Sequence, residues 1–265
     1  MSVEVTRGQG AIVLGLPHTG LEVPSDIMAG LNARGQALAD TDWHIDRLYM
    51  DLRADVTVVR QTVHRYVIDV NRGADDASLY PGQATTGLCP TTDFDGEPIH
   101  LAGHAPDQAE VAARIAAYHT PYHQALSTEL ARVRAIHGIA ILYDCHSIRS
   151  RIPHLFDGTL PDFNIGTNLS TSCAPLVEKT VEEICRAATG FSTVVNGRFR
   201  GGWTTRHHGQ PAEGIHAIQM ELAQSTYMEE APPWRWDDAR ATRLRVTLAQ
   251  ILDALQSLAD RKVLT

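Results

Sequence analysis

The sequence is poorest in the features that would tie it to a membrane, a nucleic acid or a disulfide framework. No window of apolar residues approaches the length a membrane span needs, and Met1 to Gly10 is polar, without the basic region and apolar core of a secretory leader. Lys and Arg number 23 against 31 Asp and Glu, and the net charge of -8 is spread without long runs of either sign. That balance excludes the basic footprint of a nucleic-acid binder and attraction to an anionic membrane surface, and it leaves a small molecule as the expected partner. The four cysteines, Cys89, Cys145, Cys173 and Cys185, form no CxxC pair, which excludes a zinc ribbon and a disulfide scaffold. Free thiols in a reducing compartment follow, so a cytoplasmic location is expected. GxxxxGK[ST], HExxH and GxSxG are all missing, which removes the phosphate loop, the helical zincin pair and the serine nucleophile elbow. No repeat, low-complexity stretch or linker-like change of composition divides the chain. Its 265 residues are read as one α/β domain, 1–265.

What is present is a series of short apolar runs that stop at polar groups. Ile139, Ala140, Ile141 and Leu142 read as a buried strand ending in Tyr143-Asp144-Cys145-His146-Ser147. Ala11 to Leu16 reads as an earlier strand closed by Pro17-His18-Thr19-Gly20, and Tyr66 to Val70 as another ending in Asn71-Arg72. Ile215 to Leu222 alternates apolar and polar residues and carries Glu221 near its end. In open α/β sheets ligands collect outside the carboxyl ends of strands, so His18, Asn71, Arg72, His146 and Glu221 are candidate site residues. Each has an ordinary structural reading too, since a His at a strand end is as readily a hydrogen-bonded cap. Asp40 and Thr41 are read as caps of a helix containing Trp43, Ile45, Leu48 and Leu52, with Asp42 near its start complementing the dipole or serving as a ligand.

Gly73 to Pro106 lacks periodicity, but its Leu79, Tyr80, Leu88, Phe94 and Ile99 favour an ordered cover over a pocket. Asp107 to Ile136 has helical periodicity that Pro121 should kink or divide, with Gly138 as its stop. His119 and His123 share one face of that helix and are read as structural. Ala174 to Ala188 and Asp237 to Ala259 are further amphipathic helices, and short strands are expected at Phe163 to Gly166 and Ser192 to Val195. Asn196 to Gly209, with Arg198, Arg200 and Arg206, is read as a flexible basic lip for an anionic substrate.

His18, His146 and a carboxylate would make a three-ligand zinc site with a position left for water, and Glu221 would serve as general base. An Arg would hold a substrate carboxylate through its planar fork. Ser147 beside His146 is not a serine-hydrolase pair, because adjacent strand positions face opposite sides of a sheet.

Taken together, Pro17-His18-Thr19-Gly20, Asp40-Thr41-Asp42-Trp43, Asp69-Val70-Asn71-Arg72, Leu79-Tyr80-Pro81-Gly82-Gln83, Asp144 to Ser150 and Asn196-Gly197-Arg198-Phe199 with Gly201-Gly202 resemble the N-formylglutamate deformylase (N-formylglutamate amidohydrolase) family. The resemblance runs from about Ile12 to Asp238. It implies zinc-dependent hydrolysis of N-formyl-L-glutamate to L-glutamate and formate, a late step of histidine degradation. It also implies a three-layer α/β/α fold around a mixed sheet, distantly similar to zinc carboxypeptidases and aspartoacylase (phosphorylase/hydrolase-like). In those relatives a His in an HxxE pattern and a later His bind the metal, an Asn-Arg pair binds the substrate carboxylate, and a late Glu is the base. By that order His18 and His146 are metal ligands, Asn71 and Arg72 bind substrate, and Glu221 is the base. The HxxE pattern itself is broken, since Leu21 stands three residues after His18 and Glu22 one position later. Asp42 is the favoured third ligand, with Asp40 and Glu22 as alternatives. A substrate with two carboxylates calls for a second cation, for which Arg149 and Arg206 are the candidates. Hydrolysis of another N-acyl acidic amino acid, or mere binding of a small acidic ligand, are the competing readings. No feature of the sequence speaks to oligomeric state.

Overall fold

Alternation of apolar side chains along the central strands decides the layering. On one face of the sheet Ile12, Leu14, Ile141, Tyr143, Ile218 and Met220 share a core with the helices carrying Leu48, Val177, Leu244, Leu248 and Leu252. On the other face Val13, Val59, Ala140, Leu142 and Ala217 pack against Tyr122, Leu126, Leu130 and Val133 of a single long helix. Because the central strands present both faces to apolar partners, the middle of the sheet is buried on both sides. Each fully buried Leu or Ile contributes roughly 1.5–3 kcal/mol of burial free energy.

The computed structural model describes residues 2–264. The strands are β1 (Val3–Thr6), β2 (Ile12–Leu16), β3 (Thr57–Gln61), β4 (Ala140–Ile148), β5 (Phe163–Gly166), β6 (Thr193–Val195) and β7 (Ile215–Ala223). The helices are α1 (Ser25–Gly30), α2 (Ala33–Gln36), α3 (Ile45–Tyr49), α4 (Gln108–Arg114), α5 (Thr120–His137), α6 (Pro175–Ala187), α7 (Trp203–His208) and α8 (Asp238–Asp260). The sheet order is β1-β3-β2-β4-β7-β5-β6. β3, β2, β4 and β7 run parallel, β1 lies antiparallel on β3, and β5 lies antiparallel on β7 and parallel to β6. The fold is thus α/β with a mixed sheet between helical layers. All four cysteines are free thiols. Among the described residues no helix is long and apolar enough to cross a membrane.

Four local expectations are revised. The apolar run Tyr66 to Val70 is no strand but a buried turn: Val67 N–H donates to His64 O and Asp69 N–H to Leu88 O. Its carbonyls need no neighbouring strand, because Arg114 donates to Val67 O at 2.9 Å and His123 to Val70 O at 2.7 Å. Asp40 and Thr41 do not cap α3, whose N-cap is His44 at φ 61°. The Asp40 carboxylate instead accepts from Tyr66 OH and Phe94 N–H, each at 2.8 Å. Pro121 divides the long helix not by a sharp break but through a π-helical turn, Ile115–His119, between α4 and α5. Pro121 cannot donate to the preceding turn, and the wider winding absorbs the missing bond. The supposed flexible lip contains α7, with Thr204, Thr205 and His208 buried. The polar N-terminal stretch also contributes an unforeseen strand, β1, whose mostly exposed residues leave no apolar pattern to read.

Candidate active site

The carboxyl edge of the parallel strands carries the polar cluster. His18 follows β2 directly, while His146 on β4 and Glu221 on β7 are register partners on adjacent parallel strands. Two residues earlier Asp144 and Gln219 are partners in the same way, so all four side chains leave one face of the sheet. Asp42 arrives from the segment before α3. Its N–H donates to His18 O at 3.1 Å, and its Oδ2 accepts from Ser147 N–H at 3.1 Å, which pins it between the ends of β2 and β4.

The result is a convergence of donor atoms. Asp42 Oδ2 lies 3.6 Å from His18 Nδ1 and 3.3 Å from His146 Nδ1. Ligand atoms about 2.0–2.1 Å from one tetrahedral zinc are separated by roughly 3.3 Å, so each imidazole nitrogen stands from the carboxylate at about the spacing such an ion requires, and all three atoms lie within 4.8 Å of one another. The opposite edge of each imidazole is held by a carboxylate: His18 Nε2 donates to Asp69 Oδ1 at 2.7 Å, and His146 Nε2 faces Asp144 Oδ2 at 3.2 Å. A ring that donates from Nε2 keeps its Nδ1 lone pair for a cation. His18 Nδ1 is buried and has no hydrogen-bond partner. His18, Asp42 and His146 can therefore hold a divalent metal ion.

Charge in this corner is balanced by a buried arginine. Arg65 reaches Asp69 Oδ2 at 2.8 Å and Asp42 Oδ1 at 3.4 Å. Burial would raise Asp69, but His18 and Arg65 hold it well below the ordinary carboxylate range. Asp42 is likewise lowered, burial being outweighed by His18, His146 and Arg65. Burial alone lowers His146, yet Asp144, Asp42 and Glu221 raise it well above the usual histidine range. Glu221 is pushed up to about 8, first by burial and then by Asp42 and Asp144, against the opposing pull of His146 and Arg65. Its Oε2 accepts from Gln219 Nε2 at 3.1 Å.

Asn71 and Arg72 sit on the turn that begins at Asp69, not at the end of a strand. Asp69 Oδ1 accepts from Asn71 N–H at 2.9 Å as well as from His18, so one carboxylate sets both the imidazole and the turn. Asn71 Oδ1 accepts from Thr204 N–H at 2.9 Å, and its Nδ2 stands 3.3 Å from His146 Nε2. A Cβ on Gly202 would come within 2.2 Å of that amide, so only glycine fits there. His119 and His123 brace the same turn by donating to Arg72 O at 2.8 Å and Val70 O at 2.7 Å.

A cavity of about 70 Å³ opens above this edge and is lined by His18, Asn71, Arg72, His146 and Glu221, among others. Arg149 and Arg206 do not line it. Arg149 pairs with Asp95 at 3.0 Å, and Arg206 donates to Gly201 O at 2.9 Å beneath the ring of Tyr80. Arg65, already paired with Asp69 and Asp42, and Arg198 join Arg72 in the wall, Arg198 with Tyr80 and Phe199 beside it. Asp40 is taken up by Tyr66 and Phe94, and Glu22 by Thr62 Oγ1 at 2.8 Å; neither joins the triad. No signal in the sequence marks Arg65, Asp69 stands in a motif without a role, and Arg198 falls in the basic lip for an anionic substrate without being singled out from Arg200 and Arg206.

Two imidazoles and a carboxylate at the carboxyl edge of an α/β sheet, with a buried carboxyl beside them and a cavity in front, define a metal-binding hydrolase site. Residues 10–228 match the sequence pattern of the family described as N-formylglutamate amidohydrolase. The chain is 47% identical over 251 residues to the N-formylglutamate deformylase of Pseudomonas aeruginosa, covering 94% of each. It is 48% identical over 251 residues to that of Pseudomonas putida, covering 94% of this chain and 93% of the relative. Its structure is similar to the crystal structure of N-formylglutamate amidohydrolase from Ralstonia eutropha JMP134, with a TM-score of 0.82, 26% identity and 98% of both chains covered. A gene product of Agrobacterium tumefaciens shares the fold at 18% identity and a TM-score of 0.73, covering 97% of this chain and 96% of that one. The chain belongs to the N-formylglutamate amidohydrolase family.

Proposed function

We propose that the chain hydrolyses N-formyl-L-glutamate to L-glutamate and formate, with one zinc ion held by His18, Asp42 and His146 and with Glu221 as proton-transfer base. The observation that carries this reading is the meeting of three donor atoms within 4.8 Å, beside a buried Glu221, in a cavity that also presents Arg72. His18, Asp42 and His146 would hold the zinc ion, which would supply a water of pKa lowered toward roughly 7 and Lewis-acid polarisation of a carbonyl. Glu221 accepts the proton of the attacking water and delivers it to the amide nitrogen as the C–N bond breaks. Gln219 occupies Oε2 of Glu221 and so leaves Oε1 for that transfer. Asn71 and Arg72 hold the α-carboxylate, and the bond from Asp69 to both His18 and the Asn71 N–H keeps that contact in fixed relation to the metal corner.

The same reading takes the chain as one hydrolytic domain related in fold to zinc carboxypeptidases and aspartoacylase, in support of which His18, His146 and Glu221 follow the order of those sites on β2, β4 and β7. It assigns a cytoplasmic setting, which suits the free thiols. The test is turnover by the zinc-loaded protein. Formate release from N-formyl-L-glutamate in excess of release from the N-acetyl and longer acyl analogues is expected, and a zinc-loaded protein that binds N-formyl-L-glutamate without cleaving it would overturn the reading.

A further inference from the structure

Arg198 follows β6 and lines the cavity together with Arg72 and Glu221. Its Nε donates to Leu155 O at 3.0 Å and its Nη2 to Ala84 O at 2.9 Å. The guanidinium rests against Tyr80 and Phe199, 5.4 and 5.3 Å from the ring centroids. These contacts set its position but do not neutralise it. Among the described residues no carboxylate pairs with Arg198, and Arg72 has only Asp69 at 4.0 Å, which His18 and Arg65 already engage. Burial lowers the Arg198 pKa and the like charge of Arg72 lowers it further, while Tyr80 and Glu221 pull the other way. Two guanidinium groups, Arg198 without a carboxylate partner and Arg72 with only a shared one, face one cavity and repel each other until an anion arrives.

We propose that Arg198 determines specificity by binding the second, side-chain carboxylate of the substrate, so that with Arg72 it makes the cavity a receptor for a dianion. This rests on the proposed hydrolysis for the name of the substrate, but the receptor itself follows from the unpaired Arg198 and the only partly compensated Arg72. Arg72 is tied through Asp69 to His18 and takes the carboxylate next to the scissile amide. Arg198 is held by the segments at Ala84 and Leu155 and takes the distal one. The aromatic pair beside it excludes water from that contact and strengthens it.

The experiment compares zinc-loaded native protein, Arg198→Gln and Arg198→Lys. Calorimetry measures binding of glutarate and its monoamide, and steady-state kinetics use N-formyl-L-glutamate and N-formyl-L-glutamine. Native protein is expected to favour the dianion about 30-fold or more, and Arg198→Gln to bring that ratio to within about threefold, chiefly through KM. Arg198→Lys keeps a point charge without the fork and falls between them. If Arg198→Gln does not fold by circular dichroism, a reduced ratio in Arg198→Lys carries the proposal and a native ratio overturns it. An unchanged ratio in Arg198→Gln overturns it, as does equal weakening of both ligands, which is what loss of a brace on Leu155 and Ala84 would give. Formate release without dianion preference removes the receptor and leaves the hydrolase. Arg198-dependent preference for glutarate without formate release does the reverse.

Discussion

His18, Asp42 and His146 are each no more than 2% exposed, and the second edge of each meets Asp69, Arg65 or Asp144. Across the cavity Arg72 and Arg198 stand on loops, and the nearest carboxylate to either is 4.0 Å away. The first wall turns the Nδ1 atoms of two imidazoles and a carboxylate oxygen toward one point and can hold a cation. The second carries Arg198 with no carboxylate partner and Arg72 with only a shared one, which under our proposal receives an anion. A substrate with its amide at one end and carboxylates at the other is oriented by that difference before any chemistry begins.

Changes on the metal wall should break the comparison most severely. His146→Ala removes a donor, and we expect loss of bound zinc and a fall in formate release of roughly a thousandfold, read by elemental analysis and steady-state kinetics. Asp144→Asn leaves the triad but weakens the contact that holds His146 Nε2. Zinc affinity is expected to drop about 10- to 100-fold in a chelator competition while saturating zinc restores most turnover. An unchanged affinity would show that the outer carboxylate does not orient the ring.

The smallest effect concerns stability. Glu221 is raised from 4.5 to about 8 in the folded, metal-free protein, so between these values the folded form keeps a proton that the unfolded chain releases. Its contribution is complete below about 4.5 and is lost as the pH rises through about 8. Glu221→Gln should therefore make the decline in unfolding free energy of metal-free protein over that window, read by denaturant titration, shallower by at most about 1.4 kcal/mol per pH unit. An identical slope in the two proteins would show that Glu221 does not carry the proton.

Much of this edge could be read from residues in order. The runs at Ile12 and Ile139 are apolar on both faces and stop at polar groups, and the run at Ile215 alternates apolar and polar residues, so His18, His146 and Glu221 stood out as strand-end residues. The apolar run at Tyr66 misled for a definite reason. Burial makes such residues look like a strand, but Arg114 and His123 from distant helical turns satisfy the carbonyls that a strand would pair. The arginines misled for another. Arg149, Arg198 and Arg206 are alike in composition, and Asp95, Gly201 O and the cavity sort them only once the chain is folded.

By itself the sequence determined the α/β alternation, the buried parallel strands and the polar residues at their ends, because periodicity and chain punctuation are local properties. Tertiary structure alone decided that Asp42 rather than Asp40 or Glu22 stands within reach of both imidazoles, and that Arg198 rather than Arg149 or Arg206 faces the substrate cavity. Those choices rest on distances of 3 to 4 Å between residues a hundred positions apart, such as Asp42 and His146, which only the packing of the sheet brings together.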